Sequence, residues 1–243
     1  MKSIIICEGN TDSYLLQNLM KNAFDWKIQN GSSCKQNRFN VDCEKDGNIA
    51  TISVAGDSNK ISETFSSILS FNLMATELER YKKIILVTDN DEMDTKEKHI
   101  CSIIEKVNSV YGISIGDSDF NCNNWNVFKS VSKTGDAVET EVALVLIPPD
   151  GNGALETFLL DTKSKKDEYE RKIINKTCNF VDTVDEQKRY LRKARQITKA
   201  KFNVYMSVAT ANVPYKEQEH LLKDFPWKEN EFILRTFSKL KEL

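Results

Sequence analysis

Three carboxylates set the chemistry that this sequence can attempt. Glu8 closes the apolar run Ser3–Cys7, in the string Glu8-Gly9-Asn10-Thr11-Asp12, and Asp89 and Asp91 close the run Lys83–Thr88, in the string Asp89-Asn90-Asp91-Glu92. Alternate residues of extended backbone point the same way, so the D-x-D spacing can present both of its carboxylates to one ion. Two like charges about 4 Å apart repel by roughly 4 kcal/mol at an effective dielectric near 20. Such a cluster is therefore kept where a cation neutralises it or a proton is shared. Each half also has a plainer reading. Glu8 can simply end a strand, with Asp12 favoured in a first helical turn by the dipole, and Asp-Asn-Asp is also a turn composition. Both groups stand directly after a buried strand, which favours a joint site if the two strands are neighbours. Glu92 and Asp94 either add charge there or are exposed acids at a helix start.

The other metal-binding residue types narrow the choice. The chain has only two His, His99 and His220, both expected at the surface, so no site with several imidazole ligands can be built. The six Cys include no C-x-x-C pair, which argues against a zinc knuckle. Any catalytic metal must be held by carboxylate oxygen, which suits Mg²⁺ or Mn²⁺.

A second group is basic. Residues 188–201 carry Lys188, Arg189, Arg192, Lys193, Arg195, Lys199 and Lys201 with no acid among them. If the segment is one helix, Lys188, Arg192, Arg195 and Lys199 share a face, and Leu191, Ala194, Ile197, Phe202 and Tyr205 dock inward beside it. Such a stripe attracts a phosphate backbone; the plainer alternative is a solvated face whose stems cover apolar surface.

These residues must be positioned by the rest of the pattern. The sequence predicts strands over Ser3–Cys7, Ile49–Ala55, Lys83–Thr88, Trp125–Val131 and Val142–Ile147. It predicts helices over Thr11–Lys21, 59–81, Thr95–Val110 and from Gly153 through Leu160. Ile84-Ile85-Leu86-Val87 is apolar throughout, as in a parallel strand buried on both faces. Strand and helix alternate from residue 3 to residue 160, the signature of a mostly parallel sheet with helices on both faces. Residues 25–48 read as an irregular hairpin or insertion broken by Gly31 and Gly47. The expected organisation is an α/β core over 1–161 and a charged helical C-terminal region over 162–243 packed on it. Trp26, Trp125 and Trp227 are expected as packing anchors. Gly56 to Ser62 lacks the spacing of a phosphate-binding P-loop.

Several of these strings resemble the Toprim family. IIICEGNTDSYLL looks like the Toprim opening, in which Glu-Gly follows an apolar strand and an Asp comes three residues after the Gly. IILVTDNDE looks like the Toprim D-x-D strand. ISVAGDSNKI resembles the strand–Gly–helix unit of OLD-type nuclease Toprim domains. LIPPDGNGALETFLLD, TKAKFNVYMSVA and Phe225-Pro226-Trp227 resemble segments of a family of small Toprim-like bacterial proteins. The resemblance implies a Toprim-like Rossmannoid fold. It implies that Glu8 is a general acid/base or metal ligand, supported by Gly9 and Asp12, that Asp89 and Asp91 bind Mg²⁺, and that Glu156 holds a second metal. It also implies that Lys199 is a catalytic lysine. Thr198 departs from the Asp that the related family often carries there.

The totals bound the rest. A chain of 243 residues, 40% hydrophobic and 29% charged, suffices for one large α/β domain or a domain plus an extension. Its net charge of −2 gives no overall pull on a polyanion, so a nucleic-acid partner needs a local patch. The apolar start breaks at Glu8, unlike a signal peptide, and the run Val142–Ile147 is too short to span a bilayer. These features suggest a cytoplasmic protein with reduced thiols and no membrane partner. The functional expectation is metal-dependent phosphodiester chemistry on DNA or RNA, most simply a Toprim-type nuclease. The alternatives are a non-catalytic metal- or nucleic-acid-binding regulator, with a protein partner or a second copy, and a haloacid-dehalogenase-like phosphatase with Asp89 as nucleophile.

Overall fold

The computed structural model describes residues 1–29, 40–90, 94–151, 153–212, 222, 225 and 227–243. The fold is mixed α/β, with a seven-stranded sheet whose centre is parallel and whose faces carry helices. The chain divides into two compact units, the first comprising Met1–Thr88, Asp94–Leu146 and Phe237–Leu243, the second Asp89–Met93 and Ile147–Thr236. The boundary expected at residue 161 falls inside the second unit.

The strands of the sheet are β1 (Lys2–Cys7), β2 (Lys27–Ile28), β3 (Asn40–Lys45), β4 (Asn48–Val54), β5 (Tyr81–Asp89), β6 (Asn126–Val131) and β7 (Ala137–Ile147). Their order is β2-β3-β4-β1-β5-β7-β6. β1 runs parallel to β4 on one side and to β5 on the other, with Cys7 level with Val54 and Val87. The two-residue β2 pairs antiparallel with β3, β3 with β4, and β6 with β7. The apolar runs take the centre, where Ile4 to Cys7 and Ile84 to Val87 are each at most 2% exposed.

The helices of this unit are α1 (Asn10–Phe24), α2 (Ser58–Met74) and α3 (Thr95–Tyr111). The chain steps leftward from β1 through α1 to β4, then rightward across β1 through α2 to β5. Right-handed crossovers in opposite directions place α1 and α2 on opposite faces. Alternation along the strands agrees. Ile4, Ile6, Ile84 and Leu86 join Phe65 and Leu69 of α2 and Ile103, Ile104 and Val107 of α3 in one cluster. Ile5, Cys7, Ile85 and Val87 point to the other face, and α1 buries Leu15, Leu16, Leu19 and Met20.

Two expectations are corrected here and a third is sharpened. The region around Gly47 is a regular two-residue hairpin between β3 and β4. Asp46 and Gly47 both take positive φ (49° and 77°), the conformation that such turns require and that Asp-Gly favours. Residues 30–39 of the expected insertion, Gly31 included, lie outside the described residues. The helix expected over 59–81 stops at Met74, because Asn72, fully buried, clasps Tyr81 from both sides: its amide donates to the Tyr81 carbonyl (2.8 Å) and its Oδ1 accepts from the Tyr81 N–H (2.9 Å). β7 begins at Ala137 and not at residue 142; its first residues alternate in exposure against β6, so they lack the apolar run that marks the rest.

The end of the chain also belongs to the first unit. A short helix α8 (Ser238–Lys241) follows α7 (Glu231–Thr236) of the second unit. Next to α8, Glu242 accepts from the Trp125 indole N–H (2.5 Å), and its carbonyl accepts from the Lys83 ammonium (2.6 Å). Trp125 is thus a half-exposed ring that packs under Lys83, 4.9 Å from it, whereas Trp26 and Trp227 are buried.

The second unit is helical, built on α4 (Leu155–Ser164), α5 (Glu168–Val184) and α6 (Ala194–Ala209), which contact one another. Tyr205 donates to Glu170 (2.9 Å) and Lys201 pairs with Asp182 (2.8 Å), tying α6 to α5. Among the described residues five cysteines are free, and no helix is long and apolar enough to cross a membrane.

Candidate functional site

The sheet order creates one special position. After β1 the chain leaves toward the α1 face, and after β5 it leaves toward the α3 face. In open α/β sheets, ligands bind beyond the carboxyl ends of the strands at such a reversal. Glu8 follows β1 and Thr88 stands at the end of β5, so the two residues lie at the ends of parallel neighbours.

Glu8 is held on both sides of its Cα. Its carbonyl accepts from the Gly56 N–H (2.8 Å), just after β4. Its Oε1 accepts from the Thr88 hydroxyl (2.5 Å), and the same hydroxyl lies 3.2 Å from His99 Nε2. Thr88 is 2% exposed, whereas Glu8 and His99 are half-buried. Gly9 is extended (φ −135°, ψ 176°), a conformation open to any residue, and a Cβ there would meet only Asp12 Oδ2 at 3.7 Å. Asp12 accepts from the Gly9 N–H (2.8 Å) and so closes the first turn of α1. Burial pushes the Cys7 thiol pKa up, and the negative charges of Asp12 and Glu8 raise it further.

Asp89 has a structural task. Its Oδ1 accepts from the N–H of Leu155 (2.9 Å), the first residue of α4, where a carboxylate meets the positive end of the helix. Glu156, the next residue, is half-buried in that first turn. Asp91 and Glu92 lie outside the described residues, as do His220 and the segment around it. Asp94 is exposed and pairs with Lys98 (3.0 Å). Among the described residues no three His, Cys, Asp or Glu side chains gather closely enough to hold a metal ion. Glu8 in the first unit and Asp89 in the second each offer carboxylate oxygen, the donor type that a hard divalent cation takes.

The basic stripe is not one helical face. α5 ends at Val184, and the Asp185 carboxylate then accepts from the backbone N–H groups of Arg189 (2.9 Å), Tyr190 (2.8 Å) and Leu191 (2.7 Å). An Asp side chain that satisfies local N–H groups competes with the helix ladder, and Lys188 sits at φ +50° inside this loop. The loop ends where Gln196 Oε1 accepts from Arg192 N and Lys193 N (2.9 Å each), starting α6 at Ala194. Lys188 and Arg192 therefore belong to a loop, and only Arg195 and Lys199 are helical. Of the expected inward residues, Phe202 and Tyr205 are buried and Ala194 is exposed. Arg195, with Asn175, Thr198 and Lys201, lines a cleft of about 490 Å³ within the second unit. Lys199, exposed on α6, is not among its lining residues.

The Thr88–His99 contact was not anticipated from the sequence, where His99 was expected at the surface. No local signal in the sequence brings His99 to Thr88, because the contact depends on how α3 docks on the sheet.

The family model described as a protein of unknown function (DUF3226) matches residues 2–240. The chain belongs to the DUF3226 family. A similar solved structure is the crystal structure of a hypothetical protein from Pyrococcus horikoshii OT3. It is 14% identical, with a TM-score of 0.48, and the match covers 98% of each chain. No curated protein matches the chain. For this DUF3226 protein, neither description carries an activity.

Proposed function

We propose that this DUF3226 protein has a Toprim-like fold and carries out divalent-metal-dependent phosphodiester chemistry on nucleic acid, at the sheet edge where β1 and β5 end. The observation that carries the reading is the placement of Glu8, just after β1, against Thr88 of the parallel neighbour β5, where the crossovers part to opposite faces. The Thr88 hydroxyl fixes the Glu8 carboxylate in direction, which suits a group that must take or give a proton at a defined atom, or hold an ion. Asp89 is fixed by its bond to Leu155. The Toprim resemblance also implies Asp91 as a metal ligand, Glu156 as a further acid and Lys199 as a catalytic lysine. A bound Mg²⁺ or Mn²⁺ would polarise a phosphodiester oxygen and stabilise charge on the attacking or leaving oxygen. Arg195 and Lys199, exposed on α6, are the cations offered to the phosphate backbone.

A second reading is a binding protein without turnover. It is favoured by Asp89, one of whose oxygens is already committed to the α4 N-terminus.

The test is incubation of the purified protein with supercoiled plasmid, linear DNA and RNA, with Mg²⁺ or Mn²⁺ and with chelator. Metal-dependent cleavage that is lost in Glu8→Gln and Asp89→Asn is expected. Cleavage that survives both substitutions removes the sheet edge from the mechanism. Binding of Mn²⁺ and nucleic acid without cleavage selects the second reading.

A further inference from the structure

We infer that His99 is a positioning residue of the candidate centre: it donates from Nε2 to the Thr88 hydroxyl and thereby fixes how that hydroxyl holds Glu8. The inference rests on the proposed role of Glu8 and adds a residue that the Toprim resemblance does not supply.

The argument is a count of protons. A threonine hydroxyl has one proton to give and two lone pairs to offer, and an ionised carboxylate only accepts. Thr88 gives its proton to Glu8 Oε1 at 2.5 Å. What Thr88 Oγ1 presents toward His99 Nε2 at 3.2 Å is then a lone pair, so Nε2 must carry a hydrogen. A buried hydroxyl needs one partner to be satisfied, and Glu8 already provides it. The imidazole therefore supplies more than satisfaction: it occupies the acceptor side of Oγ1 and leaves the hydroxyl proton one direction, toward Glu8. Thr88 can transmit that constraint because it is 2% exposed on a central strand and β-branched, hence stiff at χ1. The three groups come from β1, β5 and α3, so the chain also links the two strand ends to the helix that leaves the edge.

Partners that orient a ligand from behind typically account for about 10- to 100-fold in metal affinity. His99→Ala should therefore weaken Mn²⁺ binding, read by calorimetry, by about 10- to 100-fold. His99→Gln, whose amide N–H₂ can reach the same acceptor, should recover most of the loss. A merely space-filling role would not distinguish these two variants. In parallel, ¹⁵N spectra of the imidazole in metal-free protein, assigned with His220→Asn, should show a protonated Nε2. The Glu8 carboxyl carbon should shift in His99→Ala and return in His99→Gln. A neutral ring with its hydrogen on Nδ1, an unmoved Glu8 signal, or Mn²⁺ affinity unchanged in His99→Ala would each overturn the inference. If the unsubstituted protein binds no Mn²⁺, the metal reading falls, and the two spectroscopic results alone decide the positioning role.

Discussion

The sheet edge and the basic segment order their charged groups by different means. At the edge, Glu8 is placed by a parallel register that also fixes Cys7 against Val54 and Val87, and its side chain is tied to a buried hydroxyl. In the basic segment Lys188 and Arg192 sit in a loop gathered by one carboxylate, and Arg195 and Lys199 stand exposed on α6. A β-ladder transmits position through backbone bonds, so a strand end inherits the precision of the sheet. A helical face exists only while the helix does, and Asp185 ends it. Chemistry that needs one oriented atom belongs at the first kind of place; diffuse attraction to a polyanion tolerates the second.

The sharpest contrast should appear in turnover. Glu8→Gln is expected to lower metal-dependent cleavage by roughly 10²–10⁴-fold, the size of a proton-transfer contribution. Arg195→Ala should weaken binding and leave the rate at saturating nucleic acid nearly intact. Equal losses in both, in single-turnover cleavage, would erase the distinction. Next comes stability. Phe65→Ala, in the cluster beneath the edge, should cost about 3–5 kcal/mol, whereas Tyr205→Phe, which removes the bond to Glu170, should cost about 1 kcal/mol. Urea denaturation read by circular dichroism measures both.

Smaller still is the electrostatic effect. Removing Arg195 and Lys199 together should flatten the log–log salt dependence of nucleic-acid binding by roughly 0.9 for each cation that meets a phosphate. Fluorescence anisotropy at several salt concentrations would return the pair to a solubility role if the slope stays put. The subtlest effect is a pH response of the 185–191 loop. The N–H groups of Leu191 and Tyr190 hold Asp185 below the ordinary carboxylate value. The loop's bonds are thus fully present above the unfolded value and lost as pH falls through the lowered folded one. The protection of the Arg189, Tyr190 and Leu191 amides relative to their intrinsic exchange rates should fall on acidification below pH about 4, and Asp185→Asn should blunt that response.

What the sequence discloses follows the same division. The strands β1 and β5 were legible because burial on both faces leaves continuous apolar runs, and the acids after them were visible as breaks in those runs. The strand order was not: adjacency of residues 8 and 88 depends on crossovers that no local pattern encodes. Asn72 ends α2 through a partner nine positions on, and Gln196 starts α6 behind a cap residue, Lys193, of a type that rarely caps. His99 was hidden for the same reason, since its value lies in a contact with Thr88 set by how α3 docks on the sheet.

The return of Phe237–Leu243 to the first unit has a practical consequence. Trimming these last seven residues would strip Phe237 and Leu240 from the unit that carries Glu8, and would leave the Trp125 indole without its acceptor at Glu242.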